Sequence, residues 1–204
     1  MEREANLIDK LLDLISGGVF GLISVIVILV GDIIAFSYFP GYSIFNNMVS
    51  ELGVGPGGIF FNIGLIISGI IIIPYYIDLG KSFIGKEIKE NLRKFAISSA
   101  IISCITYTLL GFFPSVETNP IIYITHGTLA TISIASGFGY LTSYSILMLK
   151  ADNFNKIQAC HGFIVAGVYA IFLFIWIPII EWIMTFCIIS WITSNSISLL
   201  YKRH

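Results

Sequence analysis

The chain has 204 residues, of which 56% are hydrophobic and only 11% charged. A water-soluble domain carries roughly 25% charge, so this chain is not built to meet water on every side. Its formal net charge of -1 gives no bias toward nucleic acid, and no linker, low-complexity tract or internal repeat marks a second domain.

The first ten residues, Met1 to Lys10, mix charge signs. The apolar run that follows is longer than a signal-peptide core of roughly 7–15 residues, so it reads as a retained first span. A helix needs about 20 apolar residues to cross a bilayer. Six stretches qualify: 14–38, 59–78, 95–113, 121–148, 160–179 and 182–201. Unpaired backbone groups are too costly in lipid for anything but helices or closed barrels. Runs such as Ile66 to Ile73 do not alternate as barrel strands must. The expected fold is an all-α integral membrane protein, a six-transmembrane-helix bundle forming a single domain over 1–204. Pro74 should kink or end the second span.

The 11 basic residues set the direction. Arg3 and Lys10 precede span one. Lys81, Lys86, Lys89, Arg93 and Lys94 lie between spans two and three. Lys150 and Lys156 lie between spans four and five, and Lys202 and Arg203 end the chain. With six spans these segments share one face, and the other three loops hold no Lys or Arg. Basic residues beside spans stay cytoplasmic, so the N and C termini are both expected in the cytoplasm, with the chain a multi-pass protein of the cell membrane. Glu51, Glu117 and Glu181 then face outward. Asp32, about 24 Å along the helix from Ser16, lies near the outer end of span one.

Between spans one and two, residues 43–52 have a helical period. Ile44, Phe45, Met48, Val49 and Leu52 fall on one face, and Asn46, Asn47, Ser50 and Glu51 on the other. Ser43 suits an N-cap and Gly53 a left-handed stop. The reading is a short amphipathic helix on the outer leaflet, followed by a glycine turn, Gly53 to Gly58, into span two. That glycine series lacks the lysine and preceding strand of a phosphate loop.

Ionisable groups at membrane depth are costly and commonly functional. Asp32, Asn62, His126 and Glu181, with Asn47, Ser50 and Glu51, cluster in the outer third, as a structural network or an outward-open polar pocket. Span four, rich in Gly, Ala, Ser and Thr from Gly127 to Gly139, reads as the central helix. Gly17 and Gly21 give span one a small-residue face. Tyr38, Tyr42, Tyr123 and Trp182 suit an outer aromatic belt, and Tyr75, Tyr76 and Tyr201 an inner one. Cys104, Cys160 and Cys187 are expected as free thiols. No span carries a retinal-binding lysine. His126 and His161 are too far apart for a bis-histidine haem. The ligands of a multi-histidine zinc hydrolase and a Gly-x-Ser-x-Gly elbow are missing. The expectation is no cofactor and no metal.

Several short motifs recur in order: Tyr42-Ser43, Asn47-Met-Val-Ser-Glu-Leu-Gly53, Phe61-Asn62-x-Gly64-Leu-Ile-x-x-Gly69, Gly111-x-Phe-Pro114, His126-Gly-x-x-Ala130 and Glu181. In these the chain resembles the membrane family called domain of unknown function 998 (DUF998). More remotely it is similar to the lipid-related Frag, DRAM and Sfk family. The resemblance implies a multi-span bundle with a Ser-Glu-Leu-Gly element after the first span, and no established reaction. The leading functional expectation is an outward-facing pocket that binds a lipid headgroup or small polar ligand through Asp32, Asn47, Ser50, Glu51, Asn62, His126 and Glu181. Two alternatives stand beside it. One is a structural or accessory subunit docking a helix partner, or a second copy of itself, through small-residue faces. The other is a lipid-modifying membrane enzyme with Glu51 or His126 as general base. The partners implied are membrane lipids.

Overall fold

The computed structural model describes residues 7–85 and 87–202. Arg3, Lys86 and Arg203, three of the basic residues used above, lie outside them. The described residues are all-helical. The elements are α1 (Leu7–Leu14), α2 (Gly17–Ser37), a 3-10 helix (Val49–Val54), α3 (Gly58–Ile71), α4 (Ile73–Lys81), α5 (Glu90–Leu110), α6 (Pro120–Lys150), α7 (Lys156–Phe174) and α8 (Pro178–Lys202). Five helical stretches are long and apolar enough to cross a membrane: α2, the α3–α4 pair, α6, α7 and α8. The third expected span, 95–113, corresponds to α5, 21 residues long but not among those five. Glu90, Arg93 and Lys94 occupy its start, and hydroxyls interrupt it further on.

Local chemistry sets the helix ends. Ser16 Oγ accepts from Gly18 N–H, and Asp78 Oδ2 accepts from Gly17 N–H at 2.7 Å. A carboxylate there also meets the positive end of the α2 dipole. Asn119 caps α6 ahead of Pro120, and Asn155 with Gln158 forms a capping box on α7. Proline at the first helical position loses no intrahelical bond. That is why Pro178 opens α8, and why the expected 160–179 span ends earlier, at Phe174. Pro74 has the anticipated effect. Its missing N–H falls where α3 gives way to α4, and the chain bends at Ile72.

That bend shapes the whole bundle. Neighbour contacts run α2–α3–α5–α6–α7–α8 and back to α2, a closed ring. Past the bend, α4 touches α2, α5 and α8 at once, so it fills the middle of the ring at one end. Its Tyr75 and Tyr76 are buried there rather than set in an aromatic belt. Tyr76 donates to the Tyr140 hydroxyl at 2.9 Å, Tyr144 donates to the Tyr76 carbonyl at 2.8 Å, and Trp191 packs on Tyr75, Tyr140 and Tyr144. The inner-belt expectation for these two tyrosines is therefore corrected. The Tyr76 hydroxyl finds a polar partner inside the ring, while Tyr75, whose hydroxyl has none, is held by packing on Tyr76 and Trp191.

The end plugged by α4 also gathers the described basic residues. Lys81 closes α4, Lys89 precedes α5, Lys150 ends α6 and Lys156 starts α7. Backbone and side-chain bonds from Ser82 and Ile84 to Asp152 and Asn153 tie these loops together. Around the ring, Ile26, Ile33, Ile59, Ile105, Ile164 and Phe186 point outward and are exposed. Such a surface suits lipid, not water. Thr128 and Thr131 are exposed too and Ser136 is half-buried, but each donates its hydroxyl to the carbonyl four residues back, so none of these donors is left bare.

Candidate functional site

At the end opposite α4, residues 38–57 cross the mouth of the ring. The expected α-helix over 43–52 is not what forms. Residues 44–46 make a turn, and only Val49–Val54 coil, as a 3-10 helix. The polar side chains explain the difference. Glu51 accepts from the Met48 N–H at 2.9 Å and from Asn47 Nδ2 at 2.7 Å, while Asn47 Oδ1 accepts from Ser43 N–H. Side-chain bonds to local backbone compete with the helical ladder. Gly53 is not a left-handed stop either. Positive φ occurs only at Gly41 and Gly85 among the described residues. The glycine run serves close approach: a Cβ on Gly58 would lie 2.4 Å from Gly53 O, and one on Gly57 2.8 Å from the Ala35 Cα.

This segment is fastened to α8. Glu181, in the first turn of α8, accepts the Val49 N–H at 2.7 Å. Trp182 Nε1 donates to the Tyr42 hydroxyl, and Tyr42 in turn donates to the Met48 carbonyl at 2.6 Å. Burial pushes the Tyr42 phenol above its ordinary range, so it keeps the proton it donates. Trp182 is itself buried. It and Tyr42 form a latch, not part of an aromatic belt as expected, whereas Tyr38 and Tyr123 are exposed.

Beneath the segment lies a cavity of about 180 Å³. Asp32 from α2, Ser50 from the 3-10 helix, His126 from the second turn of α6 and Glu181 from α8 all line it. Four of the seven expected site residues thus meet on one space. Asn47 and Glu51 bond to each other, as above, and do not line it. Asn62 does not reach it; its Nδ2 donates to Gly53 O at 3.0 Å, holding α3 to the 3-10 helix. The exposed Asn46 stays outside.

His126 Nδ1 lies 2.8 Å from the Phe113 carbonyl. A carbonyl only accepts, so Nδ1 carries the hydrogen, and the neutral ring offers Nε2 as an acceptor. Asp32 is only 6% exposed, and its Oδ1 has no hydrogen-bond partner. Deeper in, the walls are mainly apolar: Ile28, Leu65, Ile134, Met184 and Ile188, with Tyr76 and Tyr140 at the α4 end. From Glu181 to Ile192 the α8 wall measures roughly 17 Å at 1.5 Å per residue.

Sequence reasoning did not place Ser24, Ser68 or Ser103 here, yet they line the cavity, as does Ser133, read there only as a small packing residue. A readable signal existed. Ser24, Ile28 and Asp32 step by four along α2; His126, Ala130 and Ile134 do the same on α6; Glu181, Thr185 and Ile189 do so on α8. Stepping inward by one turn from each polar residue traces the cavity wall.

Among the described residues, no group of three or more His, Cys, Asp or Glu is placed to hold a metal ion. All three cysteines are free thiols, with Cys104 buried and Cys160 exposed. Comparison with family models, with curated proteins and with solved structures finds no match for the chain.

Proposed function

We propose that this is a six-span protein of the cell membrane, both termini cytoplasmic, whose cavity takes a lipid-like amphiphile from the outer leaflet. The carrying observation is the cavity itself: polar at the mouth, mainly apolar along its depth, floored by α4 and covered by a segment latched to α8. A headgroup fits at Asp32, Ser50, His126 and Glu181, and a chain fits along the isoleucine and leucine walls. Pockets of this make, apolar with a few convergent polar groups, are the usual form of small-ligand sites. Segregation of the basic residues to the α4 end supports the orientation, with α5 as the sixth crossing. The resemblance in short motifs to DUF998 and, more remotely, to the lipid-related Frag, DRAM and Sfk family is part of the same proposal. Glu51 lies off the cavity and its carboxylate is engaged locally, so nothing supports it as a general base.

Orientation is checked by labelling. In a cysteine-free background, Cys at position 46 is expected to react with a membrane-impermeant maleimide on intact cells, and a single Cys160 only after lysis. The reverse pattern inverts the topology. The site is checked by filling it. Ala130 lines the cavity on α6, and Ala130→Phe is expected to remove the lipid species that native mass spectrometry detects on the wild-type protein, at least tenfold, with the melting temperature held. Unchanged lipid adducts would end the pocket reading.

A further inference from the structure

We propose that the headgroup is a primary ammonium, received by Asp32, so that the ligand is a long-chain amine; this rests on the amphiphile reading above. Asp32 is the anchoring observation. It is buried, lines the cavity, and has a carboxylate oxygen that no protein donor satisfies. A buried acceptor left unpaired is costly, and one facing a cavity is satisfied by whatever donor enters.

The surrounding groups have the same polarity. Among the described residues, no Lys or Arg lines the cavity. The hydroxyls of Ser24, Ser103 and Thr185 already donate to the carbonyls of Ser68, Ser133 and Glu181, which leaves their lone pairs as acceptors. His126 spends its Nδ1–H on Phe113. Glu181 adds a second carboxylate at the mouth, held by Val49. The site is therefore rich in acceptors, and its remaining donors, such as the hydroxyls of Ser50, Tyr107 and Tyr169, are neutral. An ammonium is the complementary group, with three donors and no acceptor. A phosphate or carboxylate headgroup would face two acidic side chains with no cation to balance it. The apolar walls below the mouth receive the chain, which separates an amphiphilic amine from a small free one.

The test uses the full-length protein in phosphatidylcholine nanodiscs, with native mass spectrometry and four probes: dodecylamine, dodecanol, dodecanoate and methylamine. Dodecylamine is expected to bind at least tenfold more tightly than dodecanol, about 1.4 kcal/mol, and more tightly still than dodecanoate. Ala130→Phe is expected to remove this binding, which separates it from partition into the bilayer. Asp32→Asn, close to isosteric, is expected to abolish the preference of amine over alcohol while dodecanol still binds. Equal binding of the three long-chain probes to wild type overturns the ammonium assignment and leaves the amphiphile pocket standing. Absence of binding by any long-chain probe overturns the pocket as well. If methylamine binds as tightly as dodecylamine, the amine is a free solute and the chain assignment falls. A preference that survives in Asp32→Asn removes Asp32 as the receptor.

Discussion

Replacing Gly18 with leucine is expected to destabilise the bundle more than any other single change on α2. A Cβ at Gly18 would sit 2.4 Å from the backbone oxygen of Ser196, on α8. Backbone cannot rotate aside as a side chain can, so α2 and α8 must move apart. Gly17 and Gly21 are equally tight, but against side chains, of Asp78 and of Ser196 and Tyr75. Overpacking a filled interior costs about 1–3 kcal/mol and occasionally more; Gly18→Leu belongs at or above the top of that range. The change also opens the ring at the seam where its last helix returns to its first. Thermal unfolding in detergent, followed by size exclusion, should show loss of the monodisperse species many degrees below wild type. Gly127→Leu on α6 is the control, since nothing lies within 4 Å of that Cβ, and it should melt like wild type. A Gly18→Leu protein as stable as the control would mean that the α2–α8 contact is not close.

The second large effect is expected at Glu181, and it is local. The carboxylate takes the Val49 N–H at 2.7 Å, and so holds the covering segment to α8. Glu181→Ala leaves that donor without its partner beneath a partly buried turn. Leaving a buried donor unsatisfied costs about 1–3 kcal/mol, roughly a five- to hundredfold rise in the open population. Hydrogen exchange at Val49 should speed up by about that factor, and added protease should cut within 42–57 first. Helices on the far side of the ring, such as α6, should exchange as before. Glu181→Gln keeps a carbonyl acceptor and should fall between. If exchange rises equally in every helix, Glu181 supports the fold as a whole and is no latch.

How much of this was readable in advance depends on what lipid does to the hydrophobic pattern. Span positions were legible because crossing demands length and apolarity, but the expected limits missed the stops that Asn119, Asn155 and Pro178 set, and the 160–179 span ran past Phe174. The break at Pro74 was legible because a missing N–H acts at its own position. The level of Asp32, His126 and Glu181 along the bundle was legible too, since a helix advances by a constant rise. Which way a span faces was not. In a membrane the outside of a helix is as apolar as its inside, so Ile26 on the lipid surface and Ile28 on the cavity wall look alike in sequence. Tyr75 and Tyr76 show the same blindness: near a helix end they pass for a belt, and only the inward turn of α4 makes them core.

The covering segment failed for a different reason. Its period was helical, but Asn47 and Glu51 spend their side chains on local partners, and Glu181 captures Val49 from 132 residues away. No local pattern encodes a partner that distant. The amino-acid sequence by itself therefore determined the helical membrane class, the approximate places of the long helices and the end of the bundle at which the polar groups gather. The tertiary structure alone decided that the helices close into a ring, that α4 floors it, and that Asp32, Ser50, His126 and Glu181 share a cavity while Asn47, Glu51 and Asn62 brace its cover. The first set follows from solvent and backbone, which act residue by residue. The second follows from contacts between helices, whose rotation about their own axes lipid leaves unmarked.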